Sequence, residues 1–228
     1  MEKFDALKWT SRIAQDRRTL AAWAHALGCG KVQVAHGMLR LLGASGIERS
    51  LHLPVSFENH LESELQHSEW LHAAVAAERQ ELSCDPEYDL MESRMAQAME
   101  SYVRVLLGYA ERQTLCQEAQ YCTATIALGS RIFRHSSELR KECGDLELSR
   151  VLSRIVEEES RHVRTAQALL QSLPRETHGI YRSVRAFEEM LFGRMIRKLS
   201  RGLELYERSA LKRPANQSSN QQPLARCV

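Results

Sequence analysis

The sequence predicts an all-α protein in which four long helices form a bundle and a fifth amphipathic helix follows. Glycine (11 residues) and proline (5 residues) are sparse among the 228 residues, a composition that favours helices. Apolar residues also recur at intervals of three and four through five long segments. We expect one domain over residues 1–207 and a polar, disordered tail over 208–228.

The first two helices are predicted on either side of a loop that ends near Pro54. Apolar residues repeat with a helical period from 5 to 43, and Gly28-Cys29-Gly30 interrupts the repeat, which predicts a kink. Ser56 can cap a second helix that runs to about Glu81. No apolar run approaches the roughly 18 residues of a membrane span.

Three further helical segments are predicted after the second helix. The third pattern runs from about Tyr88 to Ser137, and since about 50 residues of helix would span about 75 Å, we expect its N-terminal end to break. The fourth helix follows the turn at Gly144-Asp145 and ends at Leu173-Pro174. A fifth amphipathic helix is predicted from Ile180 to about Tyr206.

The charge and the cysteine content limit the possible partners and the possible cellular compartment. The net charge is +2, but residues 175–213 carry 10 basic and 5 acidic side chains. We expect this segment to be a solvated helix face; the alternative is that it binds nucleic acid, an acidic carrier protein or an anionic surface, through the basic residues Arg194, Arg197, Lys198 and Arg201. The six cysteines form no Cys-x-x-Cys motif, and without a signal-peptide core we expect reduced thiols in the cytoplasm.

The most informative motif is Glu-x-x-His, which occurs at Glu64/His67, Glu69/His72 and Glu159/His162. Residues three apart lie on one face of a helix, so each pair can direct a carboxylate and an imidazole at one metal ion. Glu64 and Glu159 lie in apolar stripes, where an unpaired carboxylate is costly, whereas Glu69 lies off its stripe. The alternative is an ion-pair network between helices, for example Glu159 with Arg161 or a neighbouring Lys.

The run Glu158-Glu159-Ser160-Arg161-His162 resembles the (Asp/Glu)-Glu-x-Arg-His signature of acyl-carrier-protein desaturases, rubrerythrins and related oxygenases. The chain therefore resembles the ferritin-like superfamily of di-iron carboxylate proteins over about residues 10–172. This resemblance implies a ferritin-like four-helix bundle, to which the fifth helix is an addition. It also implies a metal centre that contains Glu64, His67, Glu159 and His162.

The same resemblance implies one more carboxylate from the third helix and one from the first. Glu118 is the match on the third helix, and Glu111 lies two turns earlier on the same face. On the first helix, the ligand is expected within residues 31–36. This stretch contains Lys31, Gln33 and His36 but no carboxylate. Either Gln33 or His36 substitutes, or His60 fills the gap from one turn before Glu64, or the site holds fewer ligands.

The resemblance implies a non-haem di-iron oxygenase or oxidase that hydroxylates, desaturates or N-oxygenates an organic substrate. Its cofactors would be two Fe ions, or an iron–manganese pair, with O2 as the co-substrate. Since the chain has no Gly-x-Gly-x-x-Gly motif, a separate reductase would supply electrons. The substrate would be a small or carrier-bound molecule, and the protein a monomer or dimer.

Two other functions suit the same residues. An iron-storage or peroxide-defence protein of the ferritin or rubrerythrin kind would form a large symmetric shell or use a rubredoxin partner. A metal-free binding scaffold is the second, because the first helix lacks the expected carboxylate.

Overall fold

The computed structural model describes residues 6–43, 55–114 and 116–211, and this part of the chain is all-α. Its eight helices are α1 (Ala6–Gln15), α2 (Arg17–Gly43), α3 (Val55–Ala74), α4 (Ala76–Leu82), α5 (Pro86–Gln113), α6 (Gln117–Glu142), α7 (Leu146–Ser172) and α8 (Glu176–Leu211). None of these helices is long and apolar enough to cross a membrane. Most of the predicted tail lies outside the described residues.

The first predicted helix divides at Asp16, not at its glycines. The Asp16 carboxylate accepts a hydrogen bond from the backbone N–H of Thr19 at 2.9 Å, as an N-terminal capping residue does. At Gly28-Cys29-Gly30, where the sequence predicts a kink, α2 remains helical. The second predicted helix divides in turn, since Val75 separates α3 from α4.

The glycines of α2 serve close packing between helices. A Cβ atom at Gly28 would lie 2.5 Å from Nε2 of His72 on α3. A Cβ atom at Gly30 would lie 2.7 Å from Cγ of Met99 on α5. These positions are therefore fixed by the approach of two neighbouring helices and not by a bend.

The third predicted segment divides in its middle, whereas the prediction put the break at its N-terminal end. Thr114 has extended dihedral angles, φ −158° and ψ 154°, and ends α5. Its hydroxyl accepts from the backbone N–H of Cys116 at 3.1 Å, and α6 begins one residue later. The sequence around this break has no glycine or proline, so the usual signal of a break is missing.

The helices pack so that α2 lies against α3 and α5, while α6 lies along α7. Helix α3 also contacts α7, and α8 crosses α5 and α6. The buried polar residues described below lie between α2, α3, α6 and α7. Asp145 caps the N-terminus of α7, because its carboxylate accepts a hydrogen bond from the backbone N–H of Leu148 at 2.9 Å. The sequence predicted a turn at this residue.

Two buried polar groups join α8 and α1 to the rest of the core. Glu188 on α8 is 1 % exposed and accepts two hydrogen bonds from the Arg131 guanidinium, at 2.7 and 2.9 Å. Tyr102 donates a third at 2.6 Å. In the second group, Trp23 Nε1 donates to Nε2 of the buried His135 at 2.6 Å. Burial lowers the pKa of His135 to about 4, which favours its neutral form.

Candidate metal centre

The two Glu-x-x-His pairs predicted from the sequence converge between α3 and α7. Helix α3 presents His60, Glu64 and His67, which follow one another at intervals of four and three along its inner face. Helix α7 presents Glu159 and His162. The two glutamates are each 1 % exposed and His67 is fully buried, so the site is closed to bulk water at these residues.

Three contacts of His67 and His162 with the buried Glu64 and Glu159 are too long for hydrogen bonds, whereas Nε2 of His60 lies 3.3 Å from Oε1 of Glu64. Nδ1 of His67 lies 3.9 Å from Oε1 of Glu64 and 3.7 Å from Oε1 of Glu159. Nδ1 of His162 lies 3.9 Å from the same oxygen of Glu64. Hydrogen bonds of this type are about 2.7–3.2 Å long. Two atoms that bind one ion through bonds of about 2.1 Å are about 3–4 Å apart, which matches these distances.

Three buried atoms in this cluster have no hydrogen-bond partner among the described residues: Oε2 of Glu64, Nδ1 of His67 and Nδ1 of His162. Buried polar atoms in folded proteins are normally paired. Of the three atoms, Oε2 of Glu64 is in ion-pair contact with Lys31, whereas the two ring nitrogens each lie 3.9 Å from Oε1 of Glu64, a convergence that is expected of ligands to a cation. The ligand atoms of His60, Glu64 and His162 lie within 4.8 Å of one another, as do those of Glu64, His67 and Glu159.

Lys31 on α2 forms the kind of ion pair between helices that the alternative interpretation of the sequence allowed. Its ammonium group is 2 % exposed, donates to Oε1 of Glu64 at 3.1 Å and forms an ion pair with Glu159. It also lies 3.0 Å from Oε2 of Glu64, in ion-pair contact without hydrogen-bond geometry. Burial alone would lower the pKa of Lys31, but the attraction of Glu159 and Glu64 outweighs it and raises the pKa. The lysine is therefore a buried cation between two carboxylates.

Burial sets the charge state of the surrounding side chains. It lowers the pKa of His60 to about 4 and that of His162 to about 3, and it lowers the pKa of His67 further still. These three imidazoles are neutral near pH 7, which is the form that binds metal ions. Burial raises the pKa of Glu159 even though the attraction of Lys31 opposes the change.

Neighbouring side chains orient two of the imidazoles. Nε2 of His67 lies 2.9 Å from Oε2 of Glu158, so the ring donates there and keeps its lone pair on Nδ1, which faces Glu64 and Glu159. Nδ1 of His60 lies 3.0 Å from the hydroxyl of Tyr121 on α6. Such hydrogen bonds are typical supports of metal-binding histidines.

The other predicted site residues lie elsewhere. Glu118 accepts from Sγ of Cys116 at 3.3 Å near the start of α6, and the Glu111 carboxylate lies 3.7 Å from Arg40. His36 is exposed and Gln33 is half-buried, and none of these four belongs to a described group of converging ligand atoms. Of the candidates for the missing ligand, only His60 lies in the cluster.

Sequence reasoning missed the roles of Lys31, Tyr121 and Glu158. A signal for Lys31 was present, because it continues the apolar stripe that contains Leu27 and Val34. A lysine inside such a stripe is rarely buried without a partner. Tyr121 and Glu158 gave no comparable signal, since their contacts depend on how α3 packs against α6 and α7.

The basic residues predicted on the fifth helix line a groove of about 1260 Å³ between α5 and α8. Six basic side chains and two acidic ones border it, together with exposed Leu90 and Leu205. The basic members are Arg94, Arg104, Arg194, Arg197, Lys198 and Arg201.

A smaller cavity of about 370 Å³ lies between α6, α7 and α8 and includes Ser160 and Val163, which are close to Glu159 in the sequence.

Comparison of the chain with protein-family models, with curated proteins and with solved structures found no match.

Proposed function

We propose that this protein is a non-haem oxygenase or oxidase that binds iron between α3 and α7 and uses O2 on an organic substrate. The observation that carries the proposal is the convergence of the two Glu-x-x-His pairs in the core, with three buried ligand atoms left without a hydrogen bond. Carboxylate and imidazole are ligands that suit iron. In this proposal α2, α3, α6 and α7 are the four helices of a ferritin-like bundle.

Each residue has a distinct part in the proposed site. Glu64, His67, Glu159 and His162 would hold the ion, and His60 would complete the ligand set beside Glu64. Bound iron would supply the oxidising chemistry with O2. Glu158 keeps the lone pair of His67 directed inward through the contact of 2.9 Å. Burial of the site excludes water, which would otherwise compete for the ion and the oxidant.

The charges of the site favour one ion over the two implied by the family resemblance. Glu64 and Glu159 are the fully buried carboxylates, and Lys31 offsets one of their two negative charges, while Glu158 also pairs with Arg161 at 3.6 Å. A second divalent cation would therefore add two positive charges to a buried site that has no negative charge left to offset them, which is costly. We therefore propose a single iron ion, with Lys31 in place of the second cation.

Metal binding is the first test. Protein freed of metal with a chelator is titrated with Fe²⁺ without oxygen, and bound iron is measured by elemental analysis. We expect a single equivalent, lost in Glu159→Gln and retained in Glu157→Gln, which changes an exposed carboxylate on the same helix. Binding that is absent in the unmodified chain, or equal in the two variants, would contradict the proposal.

Oxygen consumption is the second test. The iron-loaded protein with a chemical reductant should consume O2, and Glu159→Gln should lose this activity while its helical content stays unchanged. Gel filtration distinguishes the storage alternative, since an oxygenase of this kind is expected as a monomer or dimer and a storage protein as a large shell.

The grooves support a proposal about substrate and partner. The cavity of about 370 Å³ is within the size range of small-ligand sites. We propose that the basic groove of α5 and α8 binds an acidic protein that carries the substrate, because Leu90 and Leu205 stand among its cations. Exchange of Arg194 and Arg201 for glutamate should abolish turnover of a carrier-bound substrate and leave turnover of the free substrate unchanged.

A metal-free scaffold is the second candidate function, and Lys31 is the observation that favours it. Its ammonium contacts both Glu64 and Glu159, so the two carboxylates are already neutralised in part without an ion. The iron titration separates the candidates. An iron content that is the same in the unmodified chain and in Glu159→Gln would favour the scaffold.

A further inference from the structure

A second cluster of potential metal ligands lies between α2 and α3. It consists of His25 and Cys29, one helical turn apart on α2, and His72 on α3. One ligand atom from each residue lies within 4.8 Å of the others. Sγ of Cys29 is 3.6 Å from Nε2 of His25, and the rings of His25 and His72 are 4.7 Å apart. The sequence prediction had placed His72 off the apolar stripe and assigned it no ligand role.

The packing around this cluster holds the His72 ring in place. Nε2 of His72 lies 3.3 Å from the backbone oxygen of His25. A carbonyl oxygen only accepts, so Nε2 carries the hydrogen and Nδ1 keeps the lone pair, the arrangement typical of metal-binding histidines. Gly28 gives the ring its room, since a Cβ there would lie 2.5 Å from Nε2. Nδ1 of His25 is buried and has no hydrogen-bond partner among the described residues.

From this geometry we propose that His25, Cys29 and His72 bind a zinc-class divalent cation, separate from the central site. Two imidazoles and a thiolate are typical Zn²⁺ ligands, and water would complete a tetrahedral set. His25 and Lys31 are six positions apart on α2, which corresponds to roughly 9 Å along the helix. The two sites would therefore lie side by side on α2.

The charges near the cluster are compatible with a bound cation. The positive charge of Arg79 lies near His25 and Cys29 and would repel a cation, but its guanidinium is paired with Glu92 at 2.6 Å. Glu100 adds a negative charge near Cys29. Burial and the charge of Glu100 raise the pKa of the Cys29 thiol, so a bound cation would have to displace its proton, and the resulting thiolate would bring the net charge of these groups to −2. Burial lowers the pKa of His25 to about 4 and also lowers the pKa of His72, so both rings are neutral near pH 7.

Cobalt is the probe that tests this site, because a thiolate bound to Co²⁺ gives an intense charge-transfer band in the near ultraviolet. The central cluster contains no thiol, so the band reports only on a cysteine-containing site. The full chain, freed of metal and kept reduced with a phosphine, is titrated with Co²⁺. We expect the band to saturate at a single equivalent and to disappear when Zn²⁺ is added.

Two substitutions of cysteine make the assignment specific. Cys29→Ser, which preserves the size of the side chain, should abolish the band, and Cys84→Ser, at an exposed thiol, should leave it unchanged. Gly28→Ala should weaken Co²⁺ binding at least tenfold while all three ligands remain. A band that is absent from the unmodified chain, or that survives in Cys29→Ser, would overturn the proposal.

The outcome is independent of the proposed iron chemistry. Glu159→Gln should lose iron at the central site and keep the cobalt band. Loss of the band in that variant, with helical content unchanged, would show that the thiolate does not define a separate site and would overturn the proposal.

Discussion

Replacement of Lys31 by methionine should change two properties of the protein in opposite directions. Met is close to Lys in length and fits an apolar position, so the substitution removes the charge and preserves most of the volume. In metal-free protein it leaves Glu64 and Glu159 buried without their cation. Loss of one partner of a buried ion pair costs about 3–5 kcal/mol, and we expect the free energy of unfolding to fall by this amount.

Metal affinity should rise in the same variant. An ion that shares the carboxylates with the Lys31 ammonium would be repelled by it, and two unit charges about 4 Å apart interact by about 4 kcal/mol at an effective dielectric constant of 20. Even a fraction of this repulsion corresponds to an affinity change of about 100-fold. We therefore expect Fe²⁺ to bind Lys31→Met at least about 100-fold more tightly than the unmodified chain.

Chemical denaturation followed by circular dichroism measures the first effect, and anaerobic Fe²⁺ titration measures the second. Lys8→Met, at an exposed lysine, is the matched control and should change neither. The reasoning would be refuted if Lys31→Met were as stable as the unmodified chain in chelator, or if its iron affinity were unchanged or lower.

Three further predictions concern other parts of the core. Glu188→Ala should lower the free energy of unfolding by about 3–5 kcal/mol, because it leaves a buried guanidinium unpaired, while Glu189→Ala should have little effect. His135 should make stability depend on pH: since burial lowers its pKa from 6.5 to about 4, its contribution is complete above pH 6.5 and falls by at most about 3 kcal/mol as the pH drops toward 4. Gly129→Ala should weaken iron binding at least tenfold, because its Cβ would lie 2.9 Å from Oε2 of Glu159.

Each of these predictions has a control and a contradicting result. Equal destabilisation by Glu188→Ala and Glu189→Ala, measured in urea, would argue against the buried pair. The pH dependence is measured as the difference in stability between the unmodified chain and His135→Gln, and a difference that grows as the pH falls would have the wrong sign. Gly144→Ala, where nothing lies within 4 Å of an added Cβ, should leave iron binding intact, and an equal loss there would contradict the steric argument.

The sequence predicted the helical class from local periodicity, and helical spacing with an apolar stripe turns each glutamate and its histidine inward on one face. That the two pairs meet was implied by the family resemblance and not by periodicity. The apolar stripe of α2 also indicated that Lys31 is buried, but it did not indicate the partners of this lysine. Its partners are 33 and 128 residues away in the sequence, and the contact depends on how three helices pack.

The positions of helix ends were predicted less well, for a physical reason visible at two places. Gly28 and Gly30 look like helix breakers in the sequence, but tertiary packing uses their small size and the helix continues. Thr114 ends α5 without a glycine or proline nearby. Its hydroxyl and the side chain of Gln120, which donates to the Thr114 carbonyl, satisfy backbone groups that the break exposes.

The row of glycines on α2 has a consequence for how this protein can vary. Gly28, Gly30 and Gly37 each meet a neighbouring side chain at less than 3 Å from the position of an added Cβ. A methyl group at any of them would push α2 outward, and that helix carries both Lys31 and the His25–Cys29 pair. Added bulk at one of these glycines would therefore shift both centres, whereas a change on α7, which carries ligands of the central site alone, would alter only that site.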